Sequence, residues 1–315
     1  TSEGIATSRV FYINGADERV TLRGMTIRYG KVTSGSGGAG IYVYCSNLTI
    51  DFCRVEYNQV VISGGNGYGG GIYQMTGTLV VSNSQVQYNN CSGSDSYGGG
   101  IYVDGATVTF TNTTINNNTV AAKFGGLAAR YTTMYMTNCT VSHNQSAATS
   151  AGGMSLYFTS TVHLTNVTVA NNGGNMGIYL WGVSGQAPVV YVKNCIFADN
   201  ATRDIERDSY ALIVNNGYNL VETQSHANFV NGVNGCITGN QANLNLSSTL
   251  ADNGTANLSQ TLALAAGSVA INKGDPANAN NNIVPIPAAD QRGNSRSGIT
   301  DMGAYEFTPI QLNID

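Results

Sequence analysis

A glycine cluster that returns about every 28 residues, followed each time by an apolar residue, a β-prone run and two spaced asparagines, constrains this chain more than any other feature. The glycine-led starts read Gly37-Gly38-Ala39-Gly40-Ile41-Tyr42, Gly69-Gly70-Gly71-Ile72-Tyr73, Gly98-Gly99-Gly100-Ile101-Tyr102, Gly125-Gly126-Leu127, Gly152-Gly153-Met154 and Gly177-Ile178-Tyr179. Their apolar residues lie 31, 29, 26, 27 and 24 positions apart. A period of this length marks a solenoid, in which one repeat is one coil and buries its apolar residues only by stacking on its neighbours.

After each start comes a short run of strand-forming residues, such as Leu79-Val80-Val81, Val108-Thr109-Phe110 or Val190-Tyr191-Val192. Asn83, Asn112, Asn138, Asn166 and Asn194 follow those runs. A later apolar site, at Val55, Val86, Ile115, Val141, Val169 and Phe197, is followed three residues on by Asn58, Asn89, Asn118, Asn144, Asn172 and Asn200. Both Asn registers keep step through insertions and deletions, which an Asn-rich composition alone does not produce. In a parallel β-helix, equivalent side chains stack about 4.8 Å apart, and a corner Asn can bond both its own turn and the next rung. The spacing predicts parallel β-helix coils over residues 1–215, followed in the same continuous domain by irregular final coils and a capping region over 216–315. Asn58, Asn89, Asn118, Asn144, Asn172 and Asn200 are expected to form a structural ladder.

Composition excludes several classes. Only 10% of residues are charged while 42% are hydrophobic, which suits a turn-rich all-β chain and not a disordered one. A formal charge of −4 provides no basic stripe, so nucleic acid is not an expected partner. No run of about 18 apolar residues occurs, and direct membrane insertion is not expected. Cys53, Cys139 and Cys195 fall at one point of the repeat, two or more rungs apart, beyond disulfide reach, and are expected to be free and inward-facing.

Two resemblances follow from these residues. The glycine-plus-apolar start and the exit Phe197-Ala198-Asp199-Asn200 are similar to the GGAI and FxxN repeats of chlamydial polymorphic membrane proteins, which are surface adhesins. Thr249-Leu250-Ala251-Asp252-Asn253-Gly254, the stretch from Leu262 to Asp275, Asp290-Gln291-Arg292-Gly293 with Arg296, and Asp301-Met302-Gly303-Ala304-Tyr305-Glu306 occur in the order found in bacterial secreted β-helix proteins of the choice-of-anchor Q type. Lys273 and Thr255 depart from that pattern. The resemblance implies a right-handed parallel β-helix with a C-terminal cap, exported to the outside or the surface of a bacterial cell. It also implies further coils before Val10, because Val10-Phe11-Tyr12-Ile13 reads like an interior coil. Unpaired strand edges there would make a second copy, stacked end to end, an expected partner.

Candidate sites were sought in the same register. Tyr42, Tyr73 and Tyr102 should align on consecutive rungs, with Tyr68 and Tyr97 preceding identical Gly-Gly-Gly-Ile-Tyr runs. Such a row could present ring faces to a surface glycan or protein, or it could be a stacking ladder alone. Tyr29, Tyr57 and Tyr88 suggest a similar row. For cleavage of a polysaccharide, the residues to test are Asp51, Glu56, Arg28 and Arg54, which could equally form a salt-linked solvent face. His143, His163 and Arg130 are scattered across registers. Asp290, Arg292, Arg296, Asp301 and Glu306 suit a structural cap over the last rung, with Arg forks tying carboxylates to loop carbonyls. Calcium among Asp275, Asp290, Asp301 and Glu306 is the weaker alternative, since Arg292 and Arg296 compete for the same oxygens; no other metal or cofactor is expected. The expected function is non-enzymatic, that of an extracellular surface or matrix protein, with a polysaccharide lyase, a glycoside hydrolase or a glycan-binding module as alternatives.

Overall fold

Alternation of apolar residues sets the strands. In Thr78–Ser82, Leu79 and Val81 are buried while Val80 between them is half-buried, the pattern of a strand with one face inward. In the computed structural model, residues 8–16, 18–147, 149–276, 285–296 and 298–309 are described. A coil has four short strands, as in Ile72–Met75, Thr78–Ser82, Gln85–Gln87 and Asn90–Ser92. First-position strands stack into a nine-stranded sheet, second- and third-position strands share a 15-stranded sheet, and fourth-position strands form a four-stranded one. The coils pair in parallel and in register, with Ile41, Ile72 and Ile101 opposite one another and followed by Leu127, Met154, Ile178 and Ile205. These side chains, all fully buried, line an apolar column that runs the length of the solenoid. Cys53, Cys139 and Cys195 face into it, and all six cysteines are free. Burial pushes the Cys139 and Cys195 thiols up to about 12. Among the described residues, no helix is long and apolar enough to cross a membrane.

The two Asn registers do different work. Asn83, Asn112, Asn138, Asn166 and Asn194 turn the corner between second and third strands with φ of 51°, 48°, 51°, 53° and 56°, a left-handed conformation that Asn tolerates better than most residues. Their side chains link in places toward the N-terminal coils: Asn194 Nδ2 donates to Asn166 Oδ1 at 2.8 Å, Asn166 to Asn138 at 3.1 Å, Asn112 to Asn83 at 3.3 Å, and Asn83 to Asp51 Oδ1 at 3.0 Å. The other register is the buried ladder. Asn118 donates its backbone N–H and its Nδ2 to Asn144 Oδ1, at 3.0 and 2.9 Å, and Nδ2 also reaches the Val86 carbonyl at 2.9 Å. The same bonds to the next coil recur at Asn58, Asn89, Asn144 and Asn172. At Asn200 the next Asn is replaced by Asp204, whose Oδ1 accepts both the backbone N–H, at 3.0 Å, and Nδ2, at 2.8 Å. The ladder thus ends on a carboxylate, as does the pair of Asn112 and Asn83, whereas the run from Asn194 through Asn166 ends with Asn138 donating to the Ala289 carbonyl.

The ladder also explains the glycines. A Cβ on Gly71 would lie 2.9 Å from the Asn89 amide carbon, and one on Gly100 or Gly126 would lie 2.8 or 2.7 Å from that of Asn118 or Asn144. Glycine leads each start because the ladder amide already occupies the space a side chain would need.

Parallel stacking continues past residue 215 to Ile237–Thr238, which pairs with Leu220–Val221. Ala227, Phe229 and Cys236 close the far end of the apolar column. The cap expected from Asp290 to Glu306 lies elsewhere. From Leu244 onward the chain returns along the flank and binds side chains of successive coils. Thr114 Oγ1 donates to the Gln260 carbonyl at 2.6 Å, Thr140 Oγ1 to Gln291 Oε1 at 2.7 Å, and Asn138 Nδ2 to the Ala289 carbonyl at 2.8 Å. The Ala304 N–H donates to Thr168 Oγ1 at 3.0 Å. The charged group does tie carboxylates to carbonyls: Arg292 pairs with Asp290 at 2.7 Å and donates to the Asn253 carbonyl, and Arg296 pairs with Glu306 at 2.8 Å and donates to the Gly303 carbonyl. It is a lateral strap because the threonine column supplies polar partners all along that flank, whereas the interior end needed only apolar closure. A buried ion pair, Lys193 to Asp275 at 2.9 Å, pins the strap to the last coils.

Asn118→Ala should lower unfolding free energy by roughly 3–5 kcal/mol, since it strands the buried Asn89 backbone N–H and amide as well as losing its own bonds. Denaturant unfolding followed by circular dichroism measures this; a change below about 1 kcal/mol would mean the ladder is ornamental.

Candidate functional site

The tyrosines predicted to align do so. Tyr12, Tyr42, Tyr73 and Tyr102 are opposite one another on consecutive coils. Tyr73 and Tyr102, however, are buried, and their rings meet at 73° instead of forming a flat row. The cause is the preceding loop: Tyr68 lies 5.5 Å from Tyr73 and 4.7 Å from Tyr102, and Tyr97 lies 6.1 Å from Tyr102, ring to ring. Burial raises the hydroxyl pKa of both Tyr73 and Tyr102. The row cannot offer those two ring faces to a ligand. Tyr29, Tyr57 and Tyr88 do remain exposed, but Tyr57 and Tyr88 stack at 5.1 Å and 4°. In such a stack the neighbours cover the ring faces and solvent meets the edges.

The tyrosine column is interrupted after Tyr102, where the next coils carry Ala128 and Ser155 before Tyr179 restores an aromatic ring. Those small residues leave room for a cleft of about 530 Å³ lined by Tyr68, Tyr97, Lys123, Phe124, Phe158 and Trp181, among others. Tyr157 bridges the gap, donating its hydroxyl to Tyr102 Oη at 3.0 Å. Here some rings are inclined and some stacked: Phe158 meets Trp181 at 66°, Tyr97 meets Phe124 at 50° and Phe124 meets Tyr157 at 40°, whereas Tyr68 stacks on Tyr97 at 13° and Tyr131 on Phe158 at 8°. Trp181 is exposed and Tyr68, Tyr97 and Phe158 are half-buried, while Phe124 is buried, so a ligand in the cleft would meet chiefly the first four. Two ion pairs stand beside them, Lys123 with Asp95 at 2.8 Å and Arg130 with Asp104 at 2.6 Å. Asp95 also accepts the Tyr97 hydroxyl at 2.6 Å. Burial works to raise the Asp95 carboxyl, but the bonds from Lys123 and Tyr97 outweigh it and hold it below the ordinary range. The bond to Asp104 raises the Arg130 guanidinium. The bond to Asp95 likewise raises the Lys123 ammonium, so Asp95, Lys123 and Arg130 stay charged at neutral pH.

Of the predicted ligand-binding residues, Tyr68 and Tyr97 line this cleft, Tyr102 contributes to its wall, and Tyr42 and Tyr73 lie outside it. Trp181, Phe158, Phe124, Lys123 and Arg130 were missed. A signal existed for part of the set. Trp181 is the chain's single tryptophan, and it shares a register column with Arg130 and Tyr157.

The four residues to test for catalysis do not converge. Asp51 is held by Arg23 at 3.0 Å, Ser82 at 2.7 Å and Asn83 at 3.0 Å. Glu56 lies in the other plane of the sheet, opposite Arg28, and accepts from Gln87 at 2.8 Å. Arg54 donates to Gln85 at 3.2 Å. In the strap, Asp290 accepts from Arg292, Asp301 from the Asn272 N–H and Glu306 from Arg296, while Asp275 pairs with Lys193. Among the described residues, no group of three or more His, Cys, Asp or Glu is placed to hold a metal ion.

With the stacked coils and the cleft described, the comparison with known proteins is direct. A family described as "Right handed beta helix region" matches residues 76–253, more than half of the chain. The chain belongs to this family. The solenoid is therefore the right-handed parallel β-helix expected from the sequence, and the matched span includes every aromatic lining residue of the cleft except Tyr68. No curated protein matches the chain.

Asp51 has a structural place in this β-helix, and its titration follows. Burial works to raise its carboxyl, but the bonds from Asn83 and Ser82 and the Arg23 charge prevail and hold it below the ordinary range. A depressed carboxylate stabilises the fold above the unfolded-chain value, and that contribution is lost as pH falls through the folded value. Asp51→Asn should cost about 1 kcal/mol at neutral pH and flatten the stability profile below about pH 4. Urea midpoints measured across acid pH check this, and an unchanged profile would deny Asp51 the role.

Proposed function

We propose that this β-helix is an extracellular cell-surface or matrix protein of a bacterium, and that it holds carbohydrate in the aromatic cleft without cleaving it. The observation that carries this reading is the cleft itself, where the exposed Trp181 and the half-buried Tyr68, Tyr97 and Phe158 stand beside two ion pairs. Sugar rings have an apolar face that packs on aromatic rings and an equatorial belt of hydroxyls that needs both donors and acceptors. Lys123 with Asp95 and Arg130 with Asp104 supply one of each, side by side. The similarity to secreted choice-of-anchor Q proteins and to chlamydial adhesin repeats supports the extracellular setting. Retention is favoured over hydrolysis because Asp95 and Asp104 are each committed to a cation, whereas a general acid must carry a proton at neutral pH.

Affinity electrophoresis through gels containing soluble polysaccharides tests the reading. A retained protein should lose about 1 kcal/mol of affinity, roughly fivefold, with Trp181→Ala and again with Phe158→Ala, at unchanged thermal stability. Tyr73→Phe, a change in a buried ring outside the cleft, should leave retention intact. Equal retention of the Trp181 and Phe158 double variant would place the binding surface elsewhere.

A further inference from the structure

The cleft's long axis follows from which coils line it. Tyr68, Tyr97 and Lys123 bridge one another on three successive coils. Asp104, Arg130, Tyr157 and Trp181 are paired on four successive coils, beginning with the coil of Tyr97. The lining thus spans about five rungs, roughly 20 Å at the rung spacing of a parallel β-helix. It runs along the solenoid axis, with Tyr68 at one end and Trp181 at the other. A pocket for a single sugar would need aromatic groups from one or two coils. Here Tyr97, Phe124, Phe158 and Trp181 come from four successive coils.

The charges narrow the ligand further. Each cation in the lining is paired: Lys123 with Asp95 at 2.8 Å and Arg130 with Asp104 at 2.6 Å. The four charges sum to zero. A cleft that selected uronate or sulfate groups would present cations in excess, since a carboxylate ligand would otherwise compete with Asp95 and Asp104. The same ion pairs suit uncharged hydroxyls, which donate to the carboxylate and accept from the cation.

We infer that the cleft takes one unbranched, uncharged polysaccharide chain lying parallel to the solenoid axis and engages about four consecutive sugar residues, one per rung of about 4.8 Å. This rests on the reading of the cleft as a carbohydrate site and specifies its ligand. Tyr68 and Trp181 grip opposite ends of the bound segment, and Phe124 lies beneath its middle.

Titration calorimetry with cello-, xylo- and manno-oligosaccharides of two to about six residues, with oligogalacturonates as the anionic probe, tests the inference. At least one uncharged series should bind, with affinity rising about tenfold or more between two and five residues and then levelling, and with no dependence on salt. Trp181→Ala and Tyr68→Ala should each bring the plateau at a shorter chain. Tighter binding of oligogalacturonate that weakens with salt, or affinity that does not depend on chain length, would overturn the inference while leaving a carbohydrate site in place. Binding of none of these probes, together with no retention in polysaccharide gels, would overturn the carbohydrate reading itself.

Discussion

The buried asparagine ladder is the interaction on which the rest of this β-helix depends. Each ladder amide bonds to its neighbour on the next coil and to a carbonyl of the preceding one, as Asn118 does with Asn144 and Val86. The same side-chain oxygen accepts a backbone N–H that has no strand partner at the corner. Buried backbone donors without partners are costly, so a coil that slipped by one residue would leave donors stranded along the whole length. The glycines opposite the ladder enforce the same register from the other side, since a Cβ at Gly100 or Gly126 would meet the amides of Asn118 and Asn144. Glycine and asparagine in this repeat are two halves of one packing arrangement.

Fixed register turns sequence position into spatial columns, and the candidate site is a break in one of them. Where tyrosine recurs on consecutive coils the rings fill the outer face of the first sheet. Where Ala128 and Ser155 replace it, the face opens into the aromatic cleft. The opposite flank shows the complementary outcome. There Thr114, Thr140 and Thr168 give a column of hydroxyls that the C-terminal strap covers with its own carbonyls, amides and Gln291. One surface of the solenoid is thus closed by the chain itself, and another is left open.

Much of this was legible in the sequence, because a period equal to one coil places each repeated residue at a known point of the cross-section. The Asn58 to Asn200 ladder, the apolar columns and the inward cysteines follow from that alone. Tyr73 and Tyr102 did not, because their burial depends on the folding over of Tyr68 and Tyr97 from loops that vary in length. The strap was read as an end cap since it has no repeat to fix its path. Asp51 was read as a residue to test for catalysis, but it terminates the corner pair Asn112 and Asn83, and Asp204 terminates the ladder. A terminator departs from the repeat by necessity, so periodicity cannot reveal it.

Amide hydrogen exchange resolved by residue tests the central claim most directly. The backbone N–H groups of Asn58, Asn89, Asn118, Asn144 and Asn172, each donated to a side-chain oxygen of the next coil, should exchange only on global unfolding and rank among the slowest in the chain. Exchange of those amides as fast as the amides of the exposed loop at Gly64 would contradict the account, since the coils would then be held in register by something other than the ladder.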